Sequence, residues 1–463
     1  MDDMPAASDA LPATVVVMLT RWPMMTRHTT LATASLLTRD HAVGGIGVRG
    51  IAGLGGWWWR SPQRLLGAGI AAIVVVSAGI TVAFSPMAHG QVPARSIRSA
   101  QPVGSDVPGV PIVSPEIVTQ PSDGAADVNP LALVRVSVTH GVLDKVSLTS
   151  SDGKVVAGQF SSDRSTWTTS EPLGYSKKYT WSGAATGIDR LPREITGSFQ
   201  TVVPDRLISG QLNVADNATY GIAMPIALTF SSGVTDKAAV QRALSVQLSV
   251  PTEGSWAWLN DTTVHWRPKT YFAPNTHVTV SGKLYGLAMG GGAFGRRDIA
   301  SSFTIGRSYV LRGDTRSHRL LAYVNGAQIA DYPASYGLDS DPGRTTHSGT
   351  HVVMSKSPVF YMSNPKYHYE NVEARSAVRI SSNGEFIHAA PWSVAQQGRE
   401  NVSHGCINLS PANAEAVYNA VLPGDPVEVT GSSRQLGARD GDYYDWTFSW
   451  RDWLAKSAVA PPS

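Results

Sequence analysis

Cysteine is nearly absent from this 463-residue chain, which has one, Cys406. A single thiol cannot close an intramolecular disulfide, so no disulfide framework is available and no Cys-rich metal site. Charge is sparse as well: Asp, Glu, Lys and Arg make up 16% and the net charge is +3. Lys and Arg are scattered, and no basic stripe carries interleaved aromatics, which excludes a nucleic-acid partner. His347 and His351 share an H-x-x-x-H spacing, but Gly349 lies between them and no acidic third ligand is evident. We therefore expect no metal or other cofactor, and place these histidines on a mobile lid.

What the chain does have is apolar material, 42% of residues, and enough length for about three domains. Leu65 to Phe84 carries no charge over twenty residues, long enough to span a bilayer as a helix. Trp57, Trp58 and Trp59 sit at one edge as an interfacial belt, and Arg60 and Arg64 precede the run. We expect a cytoplasmic tail over 1–64, a single-pass membrane anchor over 65–84, and the remainder outside the cytoplasm. A cleaved signal peptide is the alternative, but its apolar core is usually about 7–15 residues, and Pro86-Met87-Ala88 is a poor cleavage site. Residues 85–127, rich in Pro, Ser, Val and Gly, read as an extended linker.

Short alternating runs follow. Leu133 to Thr139 and Lys178 to Trp181 predict strands in a first module, 128–203; Ala223 to Phe230, Leu244 to Val250 and Thr263 to Trp266 do so in a second, 204–306. Both modules carry Pro-x-x-Tyr after a tryptophan, Trp167 with Pro172 and Tyr175, then Trp266 with Pro268 and Tyr271. This weak internal repeat and the strand spacing predict two immunoglobulin-like β-sandwiches, read as spacers rather than glycan-binding units. The third region, 307–430, is also strand-rich: Tyr309 to Arg312, Arg319 to Val324, Gln328 to Tyr332, Arg379 to Ser382 and Glu385 to His388, with Asn325-Gly326 as a hairpin turn. Residues 410–421 predict a helix, with Ser410 as cap and Pro411 at its first position, and Val427 to Thr430 closes the region. In the final segment, 431–463, Trp446, Trp450 and Trp453 fall at a spacing that makes one apolar helical face for packing onto a neighbouring domain.

Chemistry gathers around the one cysteine. Ser403-His404-Gly405-Cys406-Ile407-Asn408 places it in a polar turn, and His388 lies upstream in a separate segment. A free thiol has a pKa of about 8.5, so an imidazole is needed to take its proton at neutral pH. His388 is the candidate base because it can face the sulfur across a cleft. His404, two residues from Cys406, can lie alongside it and is assigned support within the catalytic set. Backbone N–H groups at Gly405 and Cys406 are the candidate oxyanion donors.

The segment from His388 to Asn408 resembles the signature of the YkuD-type L,D-transpeptidase catalytic domain: a histidine, a spacer, then Ser/Thr-His-Gly-Cys-x-Asn. The spacer here is fourteen residues, 389–402. The string from His388 through Pro391-Trp392 to Cys406 is similar to the mycobacterial branch, where tandem bacterial Ig-like modules precede the catalytic domain. The resemblance implies a mainly β chain with two Ig-like modules and a β-rich catalytic domain with a few helices. It also implies an acyltransferase of cell-wall biogenesis. Cys406 would attack the bond between diaminopimelate and the terminal D-alanine of a peptidoglycan stem tetrapeptide. A second stem would resolve the thioester into a 3→3 cross-link, with His388 as base and acid. Gly405 and Asn408 would lie at the acyl site, Asn383 and Gly384 against substrate, and Tyr369 on a lid over it, with Tyr367 as the alternative. Carbapenem-type β-lactams would be covalent inhibitors. Where relatives often place serine after the histidine, this chain has Ala389, so a backbone carbonyl must orient His388. An L,D-carboxypeptidase or another cell-wall cysteine peptidase would use the same pair, and a non-catalytic wall-binding protein would use neither residue.

Overall fold

A computed structural model describes residues 113–440 and 443–460. The 1–64 tail and the 65–84 run lie outside the described residues, and among those described no helix is long and apolar enough to cross a membrane.

Period-two alternation builds the first sandwich. Val136 and Val138 on the strand Arg135–Thr139 point inward, as do Tyr179 and Trp181 on Lys178–Gly187. One sheet orders Glu116–Gln120, Arg135–Thr139, Thr166–Thr169 and Gly158–Phe160; in the other, Lys178–Gly187 pairs with Gly141–Ser150, Pro192–Ile195 and Ser198–Gln200. The expected linker therefore ends early. Glu116–Gln120 is an edge strand, antiparallel to Arg135–Thr139, and its residues are at most half-buried, so no apolar run announces it.

The second sandwich packs two four-stranded sheets around Trp256, Trp258, Trp266, Phe272 and Phe303. The sequence repeat has a structural meaning. Trp167 and Trp266 each lie over a glycine of the neighbouring strand: a Cβ on Gly158 would come within 2.1 Å of the Trp167 ring, and one on Gly254 within 2.0 Å of the Trp266 ring. The tyrosine that follows leaves its own module in both cases. Tyr175 Oη donates to Gly295 O (2.7 Å) and accepts from Gly286 N (2.8 Å) in the second sandwich. Tyr271 Oη donates to Glu428 Oε1 in the third region (3.0 Å).

That third region holds two sheets. One is five-stranded, in the order Ala327–Pro333, Arg319–Val324, Tyr309–Asp314, Pro426–Thr430, Gly349–Val352. The other runs Ser355–Asn364, Tyr369–Arg379, Phe386–Ala389, Ile407–Leu409. Asn325 and Gly326 both take positive φ (50° and 83°), as the expected hairpin turn requires. The helix Pro411–Ala420 is capped by Ser410 Oγ, which accepts from Asn413 N at 3.3 Å, and it buries Ala414 and Val417 against Ile387, Ile407 and Leu409. The long hairpin Ser355–Arg379 was not foreseen beyond its last residue; most of its positions are exposed or half-buried, so it lacks a core signature.

The final segment corrects another expectation. Trp446, Trp450 and Trp453 do not share one helix: Asp445–Thr447 is a 3-10 turn, and Ser449 starts a new helix, Trp450–Leu454, by accepting Asp452 N–H at 3.1 Å. The three indoles nevertheless converge on Arg267 of the second sandwich, whose guanidinium lies 4.8, 5.4 and 4.7 Å from their ring centres. Burial pushes Arg267 down to about 10, and stacking on indole faces partly replaces the lost water. Beside it, His265 Nδ1 meets the buried Asp445 carboxylate at 2.8 Å. The segment is thus fastened to the second sandwich.

Candidate active site

Cys406 ends a tight turn that its neighbours close. Ser403 Oγ accepts from Gly405 N (3.1 Å) and donates to Cys406 O (2.6 Å), while Thr346 Oγ1 donates to Gly405 O (2.9 Å). Gly405 sits at φ 115°, a conformation L side chains rarely adopt, so glycine is required there. The turn leaves Cys406 8% exposed with Sγ 3.7 Å from Gly384 O. Burial pushes the thiol up to about 12.

His388 comes from the adjacent strand. Phe386–Ala389 runs parallel to Ile407–Leu409, with His388 opposite Asn408. Its Nδ1 lies 2.9 Å from Ala389 O. A carbonyl can only accept, so Nδ1 carries the proton and Nε2 keeps its lone pair. The carbonyl required in place of a serine is thus that of Ala389 itself. Burial lowers the His388 pKa, so thiol and imidazole are both neutral at rest.

Two cavities meet at the cysteine. One, about 400 Å³, is lined by His388, Trp392, Val402, Ser403 and Asn408; the other, about 410 Å³, by His347, Arg379, Asn383, Gly384, Glu385 and Gly405. Met362, Tyr369, His404 and Cys406 line both. All eight residues singled out from sequence therefore wall one cavity or the other. The exposed His404 ring sits near both candidate tyrosines, 4.9 Å from Tyr367 and 5.3 Å from Tyr369. Of the two, Tyr369 lines the cavities, whereas Tyr367 Oη turns to Asp341 (3.3 Å) and Lys366 (2.9 Å). Asn408 Nδ2 donates to Ser393 Oγ (3.1 Å), which fixes the cavity floor. One expectation is narrowed. The Gly405 N–H is committed to Ser403 Oγ, so of the two expected oxyanion donors only the Cys406 N–H is unengaged among the described residues.

A charged cluster behind the second cavity was not foreseen. Glu385, 3% exposed, accepts from His347 N (2.8 Å), and its Oε1 lies 2.9 Å from His347 Nδ1. Its other oxygen is 3.7 Å from His351 Nδ1. Burial alone would raise Glu385, but hydrogen bonds and charge from the two histidines hold it below the usual range. The Glu385 hydrogen bond raises His347. The expected lid location of these histidines is overturned: His351 is fully buried on the strand Gly349–Val352, and His347 is tied to Glu385. Tyr369, expected on a lid, lies on the Ser355–Arg379 hairpin. Among the described residues no group of His, Cys, Asp and Glu is arranged to hold a metal ion. Asp440, from the final segment, accepts from Asn383 Nδ2 (3.1 Å), and its carbonyl accepts from Ser382 N (3.0 Å) and Asn383 N (3.1 Å). Glu385 had a signal in the sequence, a charge beside the apolar run Phe386-Ile387; Asp440 had none.

Comparison with known proteins agrees with this layout. A bacterial Ig domain model matches residues 125–288, and an L,D-transpeptidase catalytic domain model matches 308–429. The chain is 48% identical over 357 residues to L,D-transpeptidase 5 of Mycobacterium tuberculosis, covering 76% of this chain and 79% of that protein. It is 34% identical over 362 residues to L,D-transpeptidase 2 of the same species, covering 76% and 87%. A solved structure of the LD transpeptidase LdtMt1 in complex with imipenem shares 32% identity over 49% of this chain and all of that one, with a TM-score of 0.42. Identity of this extent across the Ig-like and catalytic regions together makes the chain a member of the L,D-transpeptidase family.

Proposed function

We propose that this transpeptidase cross-links peptidoglycan stem peptides in the 3→3 manner through a thioester on Cys406. The observation that carries the reading is the joint opening of Cys406 and His388, with Nε2 unprotonated, onto one cavity. The thiol proton passes to His388 Nε2 as sulfur attacks the carbonyl of the third stem residue, diaminopimelate. The bond to D-alanine breaks, and the imidazolium returns its proton to the departing amine. The amine of a second stem then attacks the thioester, its proton moves to His388, and the thiolate leaves and is reprotonated. The Cys406 N–H is the donor to the tetrahedral oxygen. The high thiol pKa at rest supports substrate-coupled deprotonation rather than a standing thiolate.

Transfer is favoured over hydrolysis because a second cavity reaches the same sulfur, which leaves room for an acceptor stem once D-alanine has departed. The neutral Cys-His pair also fits acylation by carbapenem-type β-lactams, which intact-mass analysis after exposure would read as an adduct on Cys406. The uncharged 65–84 run supports a membrane anchor that holds the enzyme at the cell wall; carbonate extraction of membranes tests it. The deciding experiment incubates the protein with a disaccharide-tetrapeptide and reads products by mass spectrometry. A dimer lacking one D-alanine is expected, tripeptide alone would mean a carboxypeptidase, and Cys406→Ala should yield neither.

A further inference from the structure

Arg379 is a cation without a counter-ion. It ends the second strand of the Ser355–Arg379 hairpin and lines the second cavity together with Cys406. Among the described residues no carboxylate lies within ion-pair reach of it, and its side-chain hydrogen bond from Nη1 to Ser381 O is weak at 3.4 Å. Other arginines of this region do find partners: Arg307 pairs with Asp425, Arg312 with Glu428 and Arg319 with Asp331. The guanidinium is not adrift either. It lies 4.6 Å from the ring centre of Phe386 and 5.6 Å from that of Phe360. Those two rings are 4.8 Å apart and belong to the same apolar cluster as Cys406. A guanidinium held by its faces keeps its N–H donors at the edge, the geometry that suits a carboxylate.

The acidic groups nearby engage residues other than Arg379, and Glu385 Oε2 is left without a hydrogen bond. Glu385 is tied to His347, with His351 on its other oxygen, and Asp440 accepts from Asn383 and Gly437 N (2.8 Å). Among the described residues, Arg379 is thus a cation of this cavity wall that no carboxylate pairs.

We infer that Arg379 is the anchor of a carboxylate-binding subsite in the cavity on the Gly384 side of Cys406. This rests on the reading that the substrate is a stem peptide. Such a peptide offers two carboxylates near the reacting bond, the terminus of the departing D-alanine and the side-chain carboxylate of diaminopimelate. Both present the same fork to Arg379, and substrates amidated at one or the other separate them.

The test uses the full chain with Cys406→Ala, so that binding is read without turnover. Calorimetry compares three tetrapeptides: the free acid, the diaminopimelate carboxamide and the D-alaninamide. Amidation at the recognised carboxylate should weaken binding about 10- to 100-fold, the loss expected for a charge-assisted hydrogen bond. Adding Arg379→Met, which keeps an apolar stem on the phenylalanines, should weaken the free acid by the same factor and abolish the discrimination. Arg379→Lys should restore part of it. Equal binding of all three peptides to the Arg379 protein overturns the inference, as does an Arg379→Met variant that weakens all three alike. Turnover of the free acid by the Cys406-intact enzyme separates the two claims. Release of D-alanine without carboxylate discrimination removes the subsite alone, whereas neither turnover nor binding removes the stem-peptide reading and the subsite with it.

Discussion

Replacing His347 by alanine should destabilise the catalytic region by an amount that depends on pH in a defined sense. Glu385 is 3% exposed, and its Oε1 has two donors, the backbone N–H and the ring Nδ1 of His347, at 2.8 and 2.9 Å. His347→Ala removes the second and keeps the first. The loss of one hydrogen bond to a buried charge costs about 1.5–3 kcal/mol, and a fully orphaned buried charge about 3–5 kcal/mol. The surviving N–H and His351, 3.7 Å away, place the variant near the lower range, at about 2–3 kcal/mol. The sign with pH follows from the shifts. His347 is raised above 6.5, so its contribution is full below that value and fades as pH rises through the folded pKa. Glu385 is lowered below 4.5, so its contribution is full above that value and fades as pH falls through the folded pKa. The deficit of the variant should therefore peak at about pH 5.5 and shrink toward about pH 3 and pH 9. Scanning calorimetry at the three pH values reads it, with Glu385→Gln as control, since an amide oxygen still accepts from both donors. A deficit below about 0.5 kcal/mol at the middle pH, or one that does not change with pH, would falsify the ion-pair account.

Iodoacetamide should label Cys406 more slowly than a free thiol at neutral pH, with a rate that climbs with pH, because burial pushes the group up to about 12; fast labelling at neutral pH would point to a resting thiolate. Gly405→Ala should abolish acyl transfer while leaving the Ig-like modules folded, since φ 115° strains any side chain there, and near-normal product yield in the dimer assay would count against the turn geometry. Trp453→Ala should cost about 3–5 kcal/mol, as Trp453 is fully buried against the second sandwich; an unchanged melting transition would mean that the final segment does not hold it.

The sequence was most informative where chemistry is local. The turn around Cys406 is written in consecutive residues, and Ser403 and Gly405 do there what their side chains dictate. The helix at 411–420 was legible from its cap and proline, and the two sandwiches from alternation and from a tryptophan repeat, whose glycine partners, Gly158 and Gly254, lie on neighbouring strands. The Ser355–Arg379 hairpin escaped because exposed strands need no apolar period. Glu385, Arg379 and Asp440 escaped because their meaning lies in partners from distant segments: Asp440 meets Asn383 across fifty-seven positions of chain. The tryptophans of the final segment were read with the right destination but the wrong geometry, since Ser449 restarts the helix and the convergence point, Arg267, is 179 or more residues away.

The last thirty residues join what the domain borders divide. One end of this segment is clasped by Arg267 on the second sandwich, and Asp440 near the other holds the backbone of Ser382 and Asn383, next to the Gly384 carbonyl that faces the thiol. A protein trimmed to the matched catalytic span, 308–429, keeps the nucleophile and the base but loses the brace of one cavity wall. The smallest competent enzyme should therefore be larger than its catalytic module, which assay of the 308–429 fragment beside the full chain would check. Inhibitor surveys on a trimmed fragment would rank compounds against a site with one wall unbraced.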